Sequence, residues 1–211
     1  MVRDAETHAR LLDAAAQLFA ARGFKEVTVR EICRAARANV AAVNYHYRDK
    51  LGLYREVVAK AVETMQATTE AARQAGHGAA ADQKLRSYIR VFVQRAAGES
   101  RDSWIHQLML REMADPTPAL DMIFDCVIRP RLRYVAEIVS EILSRPVDDP
   151  AVQRAVLSIQ SQCHAAMPNA LAKRVLPDLR TNGSSLDELA DHIADFSLGG
   201  LQSLACPERT K

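Results

Sequence analysis

Residues 28–47 read Thr-Val-Arg-Glu-Ile-Cys-Arg-Ala-Ala-Arg-Ala-Asn-Val-Ala-Ala-Val-Asn-Tyr-His-Tyr, and this stretch largely decides the fold. Its pattern predicts a short helix, a tight break and a second short helix. Thr28 can cap the first helix at its free N–H groups, while Glu31, three residues on, reaches back to the cap. Asn39 then opens the second helix.

Two helices of about eight residues are marginal alone, so the pair needs a third helix to pack against. Residues 6–22 supply it, because apolar residues recur there at helical spacing and Gly23 follows where a left-handed C-terminal residue is expected. In the second short helix, Ala42, Val43 and Tyr47 are predicted to face inward and the other residues outward. A helix-turn-helix needs this division of faces.

Three segments, two of which overlap residues 28–47, resemble the tetracycline-repressor (TetR) family of bacterial transcription factors over about the first 60 residues. They are Ala-Ala-x-Leu-Phe-Ala-x-x-Gly-Phe at 15–24, Thr-Val-Arg-Glu-Ile at 28–32, and Val-Asn-Tyr-His-Tyr followed by Asp-Lys-Leu-Gly-Leu-Tyr within 43–54. The family usually has Gly-Val in the turn, where this chain has Arg37-Ala38. A left-handed Arg37 costs roughly 1 kcal/mol relative to glycine, which predicts a strained or differently shaped turn.

The resemblance implies that the second short helix enters the major groove of DNA. Asn44 can pair with adenine there, and Val40 or Ala41 can touch a thymine methyl group. The candidates for reading bases are Asn39, Val40, Ala41 and Asn44, and those for holding phosphates are Thr28, Tyr45, His46 and Lys50. Two alternatives stay open: Asn44 contacts a phosphate instead, or Tyr45 and His46 are a surface aromatic pair.

Composition indicates an ordinary globular protein, with 48% hydrophobic and 26% charged residues in 211. No apolar run approaches a membrane span and the start lacks a signal-peptide pattern, so we expect a cytoplasmic protein without a membrane partner. Four scattered cysteines argue against a disulfide framework or a zinc site. Residues 1–60 carry 11 basic against 7 acidic residues, a charge of +4, and the remainder carries 17 against 19, a charge of −2. The positive charge therefore accompanies the helix-turn-helix.

The rest of the chain also reads as helices, which predicts an all-α fold of about nine helices. We expect a DNA-binding domain over 1–50 and an effector-binding and dimerisation domain over 51–211, with the fourth helix as connector. Beyond the loop at 76–81 the predicted spans are 82–97, 101–114, 118–144, 150–175 and 186–204. Pro130 and Pro168 fall inside two of these spans, and each predicts a kink or a break.

Residues 111–121 with 128–131 resemble the C-terminal domain of regulators similar to CecR, which implies control of genes for antibiotic sensitivity or export. Glu112 lies in the middle of an apolar helical stripe and needs a partner. Arg129, Arg131 or Arg133 could pair with it, or it could bind a ligand directly. Candidates for contacting a small-molecule effector are Phe92, Trp104, Met109, Glu112, Met113, Phe124 and His164, although such residues are usually core.

Enzymatic and metal sites are poorly supported. Cys163 and His164 are adjacent on a helix and point about 100° apart, with no orienting acid. Glu188 and His192 could share a metal but lack a third ligand. We therefore expect no catalytic residues, no metal and no cofactor.

The last helix carries glycines that suggest close approach of another helix, as a partner subunit would provide. The dimerisation candidates are Ile193, Phe196, Gly199, Gly200, Ser203 and Leu204. The sequence thus predicts a homodimeric, ligand-responsive repressor, released from a palindromic DNA operator by a small-molecule effector. The alternative is a ligand-binding dimer with weakened DNA recognition that acts as an interaction module.

Overall fold

A computed structural model describes residues 2–97, 103–167, 174 and 183–205. These residues form α-helices with no strand, which confirms the predicted all-α fold. The helices are α1 (Val2–Arg22), α2 (Val29–Ala36), α3 (Val40–Tyr47), α4 (Lys50–Ala75), α5 (Ala81–Ala97), α6 (Ser103–Ala114), α7 (Leu120–Ile123), α8 (Arg129–Leu143), α9 (Pro150–Ala165) and α10 (Gly183–Ala205). In the part of the chain described, no helix has both the length and the apolar character to cross a bilayer.

The helices pack into two units, residues 1–65 with 101–127 and residues 66–100 with 128–211. In the first unit α1 packs against α2, α3 and α6. Its buried side chains include Leu11, Phe19, Ile32, Val43, Leu53 and Leu108. The boundaries predicted from sequence, 1–50 and 51–211, concern function and stay a prediction. The packing boundary differs because α6 lies on α1.

The second unit has its own core between α5, α8, α9 and α10. Its apolar side chains include Leu85, Ile89, Val135, Val139, Val152, Ile159, Leu198 and Leu201. Ile193, which we expected at a dimer surface, is only 4% exposed and belongs to this core. The reason is helical geometry, since Ile193 shares the buried side of α10 with Ala190 and Ala194.

Pro130 disturbs the helix where the sequence predicted a kink or a break. A π-helical turn at Phe124–Ile128 joins α7 to α8 immediately before Pro130. Because proline has no N–H and its ring crowds the carbonyl four residues earlier, the wider turn accommodates the lost hydrogen bond. The helix predicted over 150–175 instead ends at Ala165, shortly before Pro168. Pro168 itself lies outside the described residues.

Candidate nucleic-acid interface

The start of α2 is fixed by the capping box that the sequence predicted. The Thr28 hydroxyl accepts from the Glu31 N–H at 3.3 Å, and the Glu31 carboxylate accepts from the Thr28 N–H at 2.8 Å. Arg22, the last residue of α1, donates to the same carboxylate at 2.7 Å. These hydrogen bonds, chiefly that from Arg22, lower the pKa of Glu31 to about 2. One carboxylate therefore connects the end of α1 with the start of α2.

Replacing Thr28 with valine is expected to lower the free energy of unfolding by about 1 kcal/mol at neutral pH, because a cap acceptor is lost. The pH dependence of the free energy of unfolding at this cap follows from the ionisation of Glu31. Its pKa is lower in the folded than in the unfolded protein, so its contribution is complete above the ordinary glutamate pKa and is lost as the pH falls toward 2. Urea unfolding of both proteins between pH 7 and pH 3 checks this. An effect of the substitution that grows on acidification would contradict the capping box.

The turn between α2 and α3 has the conformation that the sequence predicted. Arg37 adopts φ 51° and ψ 47°, a left-handed conformation that an L side chain disfavours. The turn closes through the Ala38 N–H, which donates to the Cys33 carbonyl at 2.9 Å. The helix-turn-helix therefore forms with an arginine in the left-handed position of its turn.

Replacing Arg37 with glycine is expected to raise the free energy of unfolding by up to about 1 kcal/mol, because the left-handed strain is relieved. The gain is partly offset by the greater freedom of glycine in the unfolded chain. Arg34→Gly is the matched control, since Arg34 lies inside α2 and glycine there should destabilise by about 1 kcal/mol. Urea unfolding measures both. Destabilisation by both would show that Arg37 is not strained.

The helix α3 presents two different faces. Val43 and Tyr47 are buried, whereas Val40, Ala41 and Asn44 are exposed. Asn39 is also exposed, and its side-chain oxygen accepts from the Ala41 N–H at 3.0 Å as the helix cap. The Asn44 side chain caps no helix in the part of the chain that the structure describes, which leaves both ends of its amide for a bidentate contact with a base.

Tyr45 and His46, both predicted to meet phosphates, have different surroundings. The Tyr45 side chain projects outward and the residue is 77% exposed. The His46 side chain is only 10% exposed, and its Nε2 lies 3.3 Å from a carboxylate oxygen of Asp4 on α1. Its ring also lies edge-on to His8 at 5.5 Å between centroids. A phosphate contact by His46 would have to compete with Asp4.

Lys50, at the start of α4, is half-buried. Its ammonium donates to the carbonyl oxygen of Lys25 at 3.3 Å and lies 4.5 Å from the centre of the Phe24 ring. Burial lowers the pKa of Lys50, against the smaller opposite effects of Glu26 and Glu31. An ammonium group has three donors, so these contacts leave capacity for a phosphate.

The exposed arginines close to α3 in the sequence were not among the predicted DNA-binding residues. Residues 28–48 carry four arginines and one glutamate, and each of the four is exposed: Arg30, Arg34, Arg37 and Arg48. Arg48, with φ 70°, follows the last residue of α3, and Arg37 likewise follows the last residue of α2. The signal was present in the local charge, which is +3 over these residues when the six histidines of the chain are taken as neutral. This local excess was not apparent in the charge of +4 summed over residues 1–60.

Glu112 is the central polar residue of the first unit outside the helix-turn-helix. It is 1% exposed, and its carboxylate accepts from the hydroxyl group of Tyr54 on α4. It also accepts from the Thr117 hydroxyl at 3.0 Å and from the Thr117 N–H at 3.1 Å. The expected arginine partner was therefore wrong, because neutral donors satisfy this carboxylate. Burial is the main cause that raises the pKa of the Tyr54 hydroxyl.

A cleft of about 520 Å³ borders this cluster within the first unit. The guanidinium group of Arg111 forms one side and donates to the Ala20 carbonyl at 3.2 Å and to the Ala21 carbonyl. The Lys25 ammonium lies 2.6 Å from the Asp115 carboxylate. Helix α6 is thus attached to the end of α1 by charged side chains, and to α4 through Glu112.

The other effector candidates do not line this cleft. Phe92 and His164 belong to the second unit, where their rings lie 5.6 Å apart edge-on. Trp104 is buried in the first unit, Met109 is half-buried, and Met113 and Phe124 are exposed. Met113 points outward because it follows the buried Glu112 by about 100° around α6. An effector role for these residues stays a prediction.

The remaining dimerisation candidates lie on one exposed side of α10. Phe196 is 67% and Leu204 is 49% exposed, and Gly199, Gly200 and Ser203 lie between them. A Cβ atom placed on Gly199 or Gly200 would meet nothing within 4 Å. No contact among the described residues therefore requires glycine at either position.

An exposed short helix that packs on two others, with exposed arginines shortly before and directly after it in the sequence, is typical of helix-turn-helix transcriptional regulators. Residues 11–57 match the family model described as bacterial regulatory proteins, tetR family. Residues 81–201 match that of the HTH-type transcriptional dual regulator CecR, C-terminal domain. The chain therefore belongs to the TetR family and carries a CecR-type C-terminal domain. Both predicted resemblances are confirmed.

The similar proteins agree with this class. The probable HTH-type transcriptional regulator YttP of Bacillus subtilis is 35% identical over 66 residues, which is 31% of this chain and 32% of that protein. A TetR-family structure from Rhodococcus has a TM-score of 0.69 at 22% identity and covers 92% of this chain and 96% of its own. Another from Streptomyces coelicolor has a TM-score of 0.62 at 22% identity and covers 95% of both chains. All three of these proteins are described as transcriptional regulators or TetR-family regulatory proteins.

Proposed function

We propose that the protein is a homodimeric repressor that binds a palindromic DNA operator and leaves it when a small-molecule effector binds. The observation that carries the proposal is α3, which presents Asn44 beside the apolar Val40 and Ala41 on an exposed face. This combination suits the adenine edge and the thymine methyl group of an A·T pair. The surrounding arginines supply the charge that holds phosphates.

A gel shift with the DNA upstream of the protein's own gene tests the proposal. We expect a shift that competing unrelated DNA does not abolish, and a footprint with two half-sites one or more helical turns apart, each turn about 34–36 Å. Binding that unrelated DNA removes equally would contradict an operator and favour the interaction-module alternative. A genome-wide footprint would then test whether genes for antibiotic sensitivity or export, the class implied by CecR-like regulators, lie beside the bound sites. Such a protein acts in the cytoplasm, where the chromosome is.

Dimerisation is proposed through α9 and α10. The Gln162 amide on α9 donates to the Ser197 hydroxyl on α10 at 3.5 Å, so the two helices lie side by side. Leu157 on α9 is 68% exposed, comparable with Phe196 on α10. Two copies of this pair of helices would form a four-helix interface about a two-fold axis, which matches the symmetry of a palindromic site.

Replacing Gly200 with leucine is expected to weaken the dimer by at least tenfold, because a large side chain would separate two closely packed helices. In the described part of one chain no atom lies within 4 Å of a Cβ at this position, and leucine is the better helix former, so the folded monomer should not be destabilised. Gln202→Leu is the matched control, exposed on α10 but about 160° away around the helix. Sedimentation velocity over a concentration series measures both variants. An unchanged dimer in Gly200→Leu would exclude this interface.

A further inference from the structure

Three polar side chains meet inside the apolar core of the second unit. They are Tyr88 on α5, Arg131 on α8 and Gln160 on α9, exposed by 1%, 9% and 4% respectively. The Gln160 side-chain N–H donates to the Tyr88 hydroxyl oxygen at 2.5 Å. Polar groups are placed in a core only where their hydrogen bonds are satisfied, so each atom of this cluster needs a partner.

The side-chain oxygen of Gln160 lacks one. It is fully buried and accepts no hydrogen bond from the residues that the structure describes. The Tyr88 oxygen already accepts from Gln160, which leaves its own O–H to donate elsewhere. The cluster therefore offers one unused acceptor next to one hydroxyl donor, in a region that excludes water.

Arg131 brings a positive charge to the same region. Its Nε donates to the Thr69 hydroxyl at 3.4 Å, and its guanidinium group lies 5.1 Å from the centre of the Phe92 ring. Burial lowers the pKa of Arg131, and burial raises the pKa of the neighbouring Cys163 thiol to about 12. Both shifts reflect a poorly solvated environment, in which an anion beside a guanidinium group is held strongly.

We propose that Arg131, Tyr88 and Gln160 bind the head group of an aromatic hydroxycarboxylate. Arg131 and Tyr88 donate to the carboxylate, and the Gln160 oxygen accepts from the neighbouring hydroxyl group. The ring of the ligand packs against Phe92. The binding site does not depend on the proposed function, but its role as the effector site rests on it.

The route by which the ligand would enter the polar cluster passes the ring of Tyr134. The ring of Tyr134 lies edge-on to that of Tyr88 at 6.1 Å between centroids and is also part of the wall of a cleft of about 280 Å³. Arg73 covers the same ring at 4.2 Å from its centre. Rotation of Tyr134 would connect the cleft to the buried polar cluster.

The site also touches the helix that a regulator needs to move. Thr69 and Arg73 both lie on α4, which begins at Lys50 directly after the recognition helix. A carboxylate that draws the Arg131 guanidinium group away from Thr69, and a ligand that displaces Tyr134 beneath Arg73, would both alter the contacts of α4. Ligand binding would thereby favour a different conformation of α4, which is the coupling that release from DNA requires.

Calorimetric titration of the DNA-free, full-length protein tests the site with three probes. Salicylate carries the anion and the hydroxyl group, benzoate only the anion, and salicylamide only the hydroxyl group. We expect salicylate to bind about tenfold more tightly than salicylamide, because a hydrogen bond to a charged group is lost in the amide. Benzoate should bind several-fold more weakly than salicylate, because the Gln160 oxygen stays unpaired. Equal affinity for salicylate and salicylamide would overturn the proposal.

Variants assign the preference to residues. Arg131→Met should remove the advantage of salicylate over salicylamide, and Gln160→Leu should reduce salicylate to the affinity of benzoate. Arg133→Gln is the matched control, because Arg133 lies two residues away, is exposed and pairs with Glu137 at 3.1 Å. If circular dichroism shows that Arg131→Met does not fold, Gln160→Leu and the probe ratios of the parent decide. Two results would contradict the site. One is an unchanged preference for salicylate over salicylamide in a folded Arg131→Met protein, and the other is an unchanged preference for salicylate over benzoate in Gln160→Leu.

Separate experiments with and without operator DNA distinguish failure of the ligand site from failure of the proposed function. Titration without DNA tests only the site, and a gel shift without ligand tests only DNA binding. When both succeed, salicylate should weaken the gel shift by at least fivefold at saturation and salicylamide at the same concentration should not. Salicylate binding with no effect on the shift would overturn the role of the site as the effector site.

Discussion

Glu112→Ala is expected to lower the free energy of unfolding by about 3 kcal/mol, the largest effect predicted for this chain on stability. The substitution removes the acceptor of the Tyr54 hydroxyl and of both donors of Thr117, and all of these groups lie in or beside the core. A buried donor left without an acceptor costs about 1–3 kcal/mol, and the space left by the side chain adds to this. Urea unfolding at a fixed protein concentration measures the effect.

The matched control is Glu137→Ala, a glutamate in an exposed pair with Arg133. Such pairs contribute about 0.2–1 kcal/mol, so the control should remain near the parent. A double-mutant cycle with Tyr54→Phe and Glu112→Gln separates the hydrogen bond from the packing. We expect a coupling energy of about 1–2 kcal/mol between the two substitutions. A coupling near zero would show that the carboxylate does not hold Tyr54.

Glu112 also illustrates what sequence could not supply. Its place in an apolar stripe predicted correctly that it is buried and needs a partner. The choice of partner was wrong, because spacing along a sequence cannot show that Tyr54, 58 residues earlier, lies against it. Arginine was a reasonable expectation from charge alone. The structure satisfies the carboxylate with one phenol and one local turn, which costs less desolvation than burying a second charge.

Local chemistry, in contrast, was predictable. The Thr28 capping box, the left-handed Arg37 and the cap at Asn39 depend on residues within a few positions of each other. The exposed face of α10 was predicted less well, since Ile193 lies at the edge of that face and is buried in the core of the second unit. Membership of a helical face is set by a few tens of degrees, which periodicity alone does not resolve.

The polar cluster in the second unit was the least predictable feature. From the sequence, Arg131 was predicted only as a possible partner for Glu112, not as a neighbour of Gln160. Their meeting with Tyr88 depends on the packing of three helices that are distant in sequence. A single arginine in a helix sequence reads as a surface residue, and nothing in its neighbours signals burial.

Asn44→Ala is expected to weaken binding to the specific operator by about tenfold to a hundredfold in the dimer, because each protomer loses a base contact of about 1 kcal/mol or more. Binding to unrelated DNA should hardly change, so the ratio of specific to non-specific affinity falls. The physical reason is that Asn44 is exposed on α3 and has no role as a cap, in contrast to Asn39. Fluorescence anisotropy with the operator and with scrambled DNA measures both affinities.

The comparison variant is Lys50→Ala, which removes a charge without removing a base contact. It should weaken binding to operator and scrambled DNA alike and reduce the salt dependence by about one ion per protomer. Because Lys50 also contacts the Lys25 carbonyl and the Phe24 ring, its thermal unfolding is measured alongside. The two variants together separate base contacts from charged phosphate contacts, since only a base contact changes the affinity ratio and only a charged phosphate contact changes the salt slope. An Asn44→Ala protein that loses affinity equally for both DNAs, with an unchanged salt slope, would instead place the neutral Asn44 amide on a phosphate and leave Val40 and Ala41 as the residues of α3 that read bases.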